Sequence, residues 1–218
     1  MNSFSTLLMV QHLQYLVYLR DINGYISTQF DIIKNDIKTF IAYILLQVIW
    51  LYVNCIPSMY INTKLINIPF GIGDTIGLIF WICGISIETL ADYQKYQYKK
   101  THKDFISSGL YKYSRHPNYL GEIIIWLGVC IICMSYGTSI NDPLCSVTII
   151  PLFFTIILLI FISGIPVCEK RGLEKYKDNK QYTQYLETTS IIIPIPPTVY
   201  YYLPSNVKKY ILGDYYLY

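Results

Sequence analysis

Four long apolar runs, separated by polar segments, set the pattern of the chain. They lie at residues 39–57, 69–90, 119–140 and 144–167. Each approaches the ~20 apolar residues that a helix needs to cross the hydrocarbon core of a membrane. The pattern therefore predicts an all-α, polytopic integral membrane protein with about four transmembrane helices.

Residues 1–19 follow a weaker pattern. They are moderately apolar, but Gln11, His12 and Gln14 interrupt the run, and no basic residue precedes it as in a signal peptide. We expect an N-terminal interfacial or partial helix here and not a fifth span.

The composition agrees with a membrane protein. Hydrophobic residues make up 53% of the chain and charged residues 14%, and the mean hydropathy is +0.36. These values exclude an ordinary soluble domain. We expect residues 1–218 to form a single membrane domain, with residues 168–218 as its tail.

The basic residues predict an orientation. Sixteen of the 17 Lys and Arg residues lie in three polar segments, at 20–38, 91–118 and 168–218. The 58–68 loop has only Lys64, and the 141–143 turn has none. By the positive-inside rule, the 91–118 loop and the C-terminus face the cytosol. In a eukaryotic cell we expect the membrane of the endoplasmic reticulum. The net charge of +3 follows from this asymmetry, so no nucleic-acid partner is predicted.

The six cysteines do not predict a disulfide framework, because five of them lie in or beside the apolar runs. Cys130 and Cys133 form a C-x-x-C pair within the third run, but no second pair of ligands accompanies it. We interpret both as packing residues and predict no metal site. The chain also lacks a P-loop and a G-x-G-x-x-G sequence.

Residues 114–129, "SRHPNYLGEIIIWLGV", carry the clearest candidate chemistry. Pro117 is suited to the first turn of a helix, where unpaired backbone N–H groups and a positive dipole end lie beside Arg115 and His116. This arrangement predicts an anion site. Asn118 and Glu122 are four residues apart and share one helix face, with Glu122 ~7 Å beyond Pro117 along the axis.

A carboxylate at this depth is a functional hypothesis, because ionisable groups are costly in the hydrocarbon core. The alternative is that Glu122 pairs with Arg115 or with a lysine near the membrane surface.

Two further polar segments flank the runs. In "IETLADYQKYQYKK", Glu88 and Asp92 are four residues apart, as are Lys95 and Lys99, which also fits a salt-bridged helix face with extended lysines. The tail segment "CEKRGLEKY" brings basic residues to the side of Arg115, and two basic clusters near a helix start favour a phosphate-bearing ligand. Beyond it, a proline-rich apolar stretch is expected on the membrane surface.

Three ordered segments resemble one known family. "ETLADYQKYQYKK", "SSGLYKYSRHPNYLGEIIIWLG" and "SGIPVCEKRGLEKYKDNKQYTQYLETTSIIIPIP" are similar to the steroid 5-alpha-reductase C-terminal-domain family, in particular its uncharacterised branch. The resemblance covers about residues 40–200. The Arg-His-Pro-x-Tyr sequence alone also resembles isoprenylcysteine carboxyl methyltransferases.

The resemblance implies an all-helical membrane reductase that binds NADPH from the cytosol. Such an enzyme saturates a carbon–carbon double bond conjugated to a carbonyl, in a steroid or another lipid. By this resemblance, Tyr119 and Glu122 are expected to be catalytic, with Glu122 and Asn118 at the nicotinamide end. Together with the charge pattern, it gives the expected cofactor-binding residues: Asp92, Lys95, Lys99, Arg115, His116, Asn118, Glu169 and Arg171.

The chain departs from the family at its N-terminus. Family members carry two or more further spans there, and this half supplies the groups that bind the substrate carbonyl. We expect either a truncated chain or a protein without the substrate half. Two alternatives therefore stay open: a methyltransferase that uses S-adenosylmethionine, and a membrane protein without catalytic activity.

Overall fold

The structure is a computed structural model that describes residues 37–64, 66 and 68–215. This part of the chain is helical and contains no β-strand, only an isolated parallel bridge between Ser114 and Ser190. The predicted all-α class is confirmed. The helix predicted at residues 1–19 lies outside the described residues.

The first three long helices match the apolar runs. Helix α1 spans Ile37–Thr63, α2 spans Ile72–Thr101 and α3 spans Pro117–Ser139. Helix α2 continues 11 residues beyond the predicted run at 69–90, because the polar sequence after residue 90 keeps its helical periodicity. With Pro143–Lys175, four segments are long and apolar enough to cross a membrane. The four predicted spans are confirmed, and they indicate an integral membrane protein.

The fourth apolar run, predicted at 144–167, is not one continuous α-helix. It consists of a 3₁₀ helix at Pro143–Ile149, helix α4 at Ile150–Ile157, a π turn at Leu158–Ile162 and helix α5 at Ile165–Lys175. Prolines lie in the first turns of both α-helices, where the missing N–H breaks no hydrogen bond. Because α5 extends to Lys175, Glu169 and Arg171 lie on a helix.

The chain after α5 folds back in short elements. Helix α6 spans Lys180–Thr188, and the Asn179 side chain caps it by accepting from the N–H groups of Gln181 and Tyr182. An extended segment follows at 189–196. Helix α7 at Pro197–Tyr202 and a π turn at Val207–Ile211 complete the described chain.

The described residues form two compact units. Among the described residues, one unit comprises those up to Leu78 together with Leu127–Phe154, and the other comprises Ile79–Trp126 and those from Thr155 to Tyr215. In the first unit, Lys64 Nζ pairs with Asp142 Oδ2 at 2.5 Å. In the second unit, α2 and α3 approach closely, since a Cβ atom on Gly84 would lie 2.7 Å from the Gly121 carbonyl oxygen. The candidate site belongs to the second unit.

Candidate functional site

Hydrogen bonds hold the loop between α2 and α3 in place on the N-terminal side of the Arg-His-Pro sequence. Gly109 has a φ of +63°, which residues with a Cβ atom rarely adopt. The Leu110 N–H donates a hydrogen bond to Gln94 Oε1 at 2.9 Å. The Tyr185 hydroxyl donates to the Tyr111 carbonyl at 2.8 Å. These contacts tie the loop to α2 on one side and to α6 on the other.

The start of α3 pairs with the extended segment at 189–196. The Arg115 N–H donates to the Ser190 carbonyl at 2.8 Å, and the His116 N–H donates to the Ile191 carbonyl at 3.1 Å. The N–H groups of Arg115 and His116 are thus bonded within the chain. The predicted anion site concerned the N–H groups in the first turn of α3, and it stays a prediction.

Arg115 bridges two carboxylates from distant parts of the chain. Its Nη1 contacts Glu169 Oε2 at 2.6 Å, and its Nη2 is hydrogen bonded to Asp214 Oδ2. The side chains of Arg115, Glu169 and Asp214 are 2%, 4% and 0% exposed, respectively. Burial alone would lower the pKa of Arg115, but the two carboxylates outweigh it and raise that pKa above its usual value. Arg115 therefore stays charged, with both Nη atoms bound to carboxylates and not directed at a phosphate.

His116 shares the carboxylate of Glu169. Its Nε2 lies 2.7 Å from Glu169 Oε1, and its ring stacks on Tyr119 with centroids 5.2 Å apart. Burial lowers the pKa of His116, and the nearby charges of Arg115 and Lys95 lower it further, although the bond to Glu169 opposes them. Burial therefore favours the neutral form of the imidazole, and the contact with Glu169 fits a hydrogen bond donated by Nε2–H.

Tyr119 points towards a cysteine that the sequence did not single out. Its hydroxyl lies 3.4 Å from Cys168 Sγ. The same cysteine is close enough to Tyr111 and Lys99 to interact electrostatically with both. Burial, followed by the nearby carboxylate of Asp92, raises the pKa of Tyr111 well above its usual value. Cys168 thus lies where residues from α2, the loop, α3 and α5 meet.

Lys99 lies within electrostatic range of two other lysines and of Cys168. Lys99, near the end of α2, interacts electrostatically with Lys95 one turn earlier and with Lys175 at the end of α5. Lys99 is exposed and Lys95 half-buried. Ammonium groups that interact in this way repel each other, and an anion bound beside them lowers the repulsion. Of the residues expected to bind an anion, Lys95 and Lys99 are at least partly exposed, whereas Arg115 is buried between two carboxylates.

The carboxylates of α2 and α3 lie on closely packed turns. A Cβ atom on Gly121 would lie 2.7 Å from the Glu88 backbone nitrogen. Glu88 is 3% exposed and Glu122 8%. Asn118 is half-buried and lies one turn before Glu122. Both residues belong to α3, as predicted. The structure thus places Glu122 in the protein interior.

The structure brings most of the expected site residues together. Residues of α2, the start of α3 and α5 meet around Cys168 and Glu169, as the contacts above show. Arg171 is an exception in burial, since it lies exposed on α5. Sequence reasoning missed Asp214, Tyr111, Cys168 and Lys175.

Metal-ligating side chains are not grouped in the part of the chain that the structure describes. No group of three or more His, Cys, Asp or Glu side chains there is arranged to hold a metal ion. All six cysteines are free.

The fold and the site define an all-helical integral membrane protein with a buried polar network at the start of a span. Residues 12–189 match the model of a family described as proteins of unknown function, DUF1295. The chain belongs to this family.

The chain is also similar to a protein whose activity is not characterised. An uncharacterised protein of Schizosaccharomyces pombe is 26% identical over 151 residues, which cover 60% of this chain and 42% of the relative. The chain thus spans less than half the length of that relative. No solved structure matches the chain.

Proposed function

We propose that the chain is an NADPH-dependent membrane reductase. It would saturate a carbon–carbon double bond conjugated to a carbonyl, in a lipid or steroid-like substrate. The proposal rests on one observation: the motif residues of α2, α3 and α5 converge around Cys168, with a cluster of lysines beside them. The resemblance of these three segments to the steroid 5-alpha-reductase C-terminal-domain family gives the reaction class.

The side chains at the site fit the chemistry of NADPH. The cluster of Lys95, Lys99 and Lys175 suits a ligand with several phosphate charges. Asn118 and Glu122 supply amide and carboxylate groups that match a nicotinamide carboxamide. S-Adenosylmethionine carries no phosphate, so a lysine cluster would contribute little to its binding.

In this proposal, NADPH supplies the hydride, and the protein supplies binding and orientation. Glu122 would accept a hydrogen bond from the carboxamide, and its burial would strengthen that bond. Tyr119 would offer a hydroxyl group that donates to the substrate carbonyl. Arg115, Glu169 and His116 hold the start of α3 in position without contacting the phosphates.

Ligand binding tests the proposal. Purified protein in detergent is titrated with NADPH, NADH and S-adenosylmethionine, and binding is followed by fluorescence across a salt series. We expect NADPH to bind most tightly and with the steepest salt dependence, because its extra phosphate adds charge. Tighter binding of S-adenosylmethionine, or equal affinity for NADPH and NADH, contradicts the proposal.

A matched pair of variants assigns the binding to the lysine cluster. Lys99→Gln should weaken NADPH binding by about fivefold, the size of one exposed ion pair. Lys100→Gln is the control, since the Lys100 ammonium lies over the Tyr96 ring at 4.2 Å. We expect the control to bind NADPH like the wild type.

A further inference from the structure

The C-terminal segment 197–215 supplies a residue of the buried network although it lies outside the family match at 12–189. Asp214 is fully buried. Its Oδ2 accepts hydrogen bonds from Arg115 Nη2 and, at 2.6 Å, from the Tyr200 hydroxyl. The contact with Arg115 joins positions 99 residues apart in the chain.

Lys208 fixes the position of Asp214. Its Nζ donates to the Glu187 carbonyl at 3.2 Å and to the Tyr201 carbonyl at 3.3 Å. The same ammonium lies 4.7 Å from the centre of the Tyr200 ring. The Asp214 N–H in turn donates to the Lys208 carbonyl at 3.0 Å. The segment thus forms an ordered turn that presents the Asp214 carboxylate to Arg115.

The contact between Asp214 and Arg115 affects the other charged groups of the network. Arg115 is one cation held between two carboxylates, Asp214 and Glu169. Glu169 is also the acceptor for His116 Nε2. If Asp214 loses its charge, the full field of Arg115 acts on Glu169 and weakens its bond to His116.

We propose that Asp214 is a positioning residue, through which the C-terminal segment 197–215 sets the orientation of Arg115, Glu169 and His116. The segment acts as a clamp on the start of α3, about 100 positions along the sequence from the predicted cofactor residues of α2. This inference stands without NADPH. Only its consequence for cofactor affinity rests on the proposed function.

Nuclear magnetic resonance of the histidine side chains tests the clamp directly. The chain has three histidines, His12, His102 and His116, so their ring signals can be assigned by substitution. In the full chain in detergent at pH 7, Asp214→Asn should move the His116 Nε2–H proton signal upfield, because its hydrogen bond to Glu169 weakens. The signals of His12 and His102 should stay in place. A structural role of Asp214 alone would not move one imidazole in a folded protein.

A milder variant covers the case in which Asp214→Asn does not fold. Tyr200→Phe removes one hydrogen bond from Asp214 and leaves every charge in place. We expect a smaller His116 shift in the same direction. Asp178→Asn, which alters an exposed carboxylate between α5 and α6, is the control and should leave His116 unchanged. If a folded Asp214→Asn protein, or Tyr200→Phe where the former is unfolded, has the His116 signal of the wild type, the clamp is refuted.

An NADPH titration of the same variants separates the two proposals. We expect Tyr200→Phe to weaken NADPH binding by about threefold, in line with one lost hydrogen bond of modest net strength. If the wild type binds no NADPH but His116 still shifts, the proposed function fails and the clamp stands. If the wild type binds NADPH and the His116 signal does not shift, the proposed function stands and the clamp is refuted.

Discussion

Glu169 contacts Arg115 and His116 at once, so a single carboxylate neutralises a buried guanidinium and orients a buried imidazole. Replacing it with Gln leaves Arg115 with one carboxylate, Asp214. Removal of one partner from a buried ion pair costs about 3–5 kcal/mol, and we take the lower end of this range because Asp214 still compensates the charge of Arg115. We expect Glu169→Gln to lower the free energy of unfolding by about 3 kcal/mol, measured by thermal melting in detergent.

The same helix offers a control for this prediction. Glu174 lies exposed one turn later on α5. We expect Glu174→Gln to melt within the error of the wild type, because exposed charges contribute little. Equal melting temperatures for the two variants would mean that the Glu169 contacts do not stabilise the fold.

His116 makes the stability depend on pH. The unfolded chain binds a proton at this residue near pH ~6.5. Burial lowers the pKa of His116 in the folded protein, so the folded state takes up the proton only at lower pH. Between these two values the unfolded state binds more protons, and stability is therefore lost as the pH falls below ~6.5.

Melting temperatures between pH 8 and pH 5, a range of about 3 units around the usual pKa of histidine, test this dependence. His116→Gln should flatten the decline, since Gln can donate to Glu169 but does not titrate. His102→Gln should keep it, because His102 is exposed. A decline that persists unchanged in His116→Gln would assign it to another group.

At the scale of elements, the packing of α2 on α3 positions Glu88 against the turn of Glu122. A Cβ atom on Gly121 would collide with the Glu88 backbone at 2.7 Å. Backbone atoms cannot move aside as a flexible side chain can, so Gly121→Ala has to separate the two helices. We expect a loss of about 1–3 kcal/mol in unfolding free energy, together with weaker NADPH binding.

Gly71→Ala is the control for this substitution. A Cβ atom there meets Asp74 Oδ2 at 3.6 Å, an ordinary van der Waals contact. The Gly71 N–H that donates to the same carboxylate is kept in Ala. If Gly121→Ala melts like Gly71→Ala, the close contact between α2 and α3 has no effect on stability.

The helices were predictable from the sequence because each apolar run has the length of a membrane span. The break in the fourth run was not. Residues 144–167 are apolar almost throughout, so they contain no period that distinguishes α, 3₁₀ and π geometry. The backbone shows the break where the Ser163 and Gly164 N–H groups both donate to the Leu158 carbonyl.

At the scale of the whole molecule, the site was predictable in part. The relative positions of the site residues on α3 could be predicted, because they lie in one short sequence with helical spacing. The partners of Arg115 could not be predicted, because Glu169 and Asp214 are 54 and 99 positions away in the chain. Tyr111 gave no signal in a chain with 23 tyrosines.

The predicted topology can be mapped on the full chain. Lys64 pairs with Asp142, and the start of α3 pairs with the 189–196 segment, so each pair of segments must share a side. We predict that the 91–118 loop and the C-terminus are cytosolic. Glycosylation acceptor sites introduced into the 141–143 turn should be modified, and sites in the 91–118 loop should not. The reverse pattern of glycosylation would contradict the predicted topology.

The role of Glu122 is the central claim, and a thermal melt of Glu122→Gln with and without NADPH tests it. We predict that the variant unfolds close to the wild type without NADPH, because Gln keeps the shape of the side chain. NADPH should stabilise it less, as expected for binding that is ~10–100-fold weaker through loss of a charge-assisted hydrogen bond. Glu187→Gln, at an exposed position, should retain the full stabilisation. If Glu122→Gln melts much earlier without NADPH but gains as much from it as the wild type, Glu122 is structural and the proposed site is wrong.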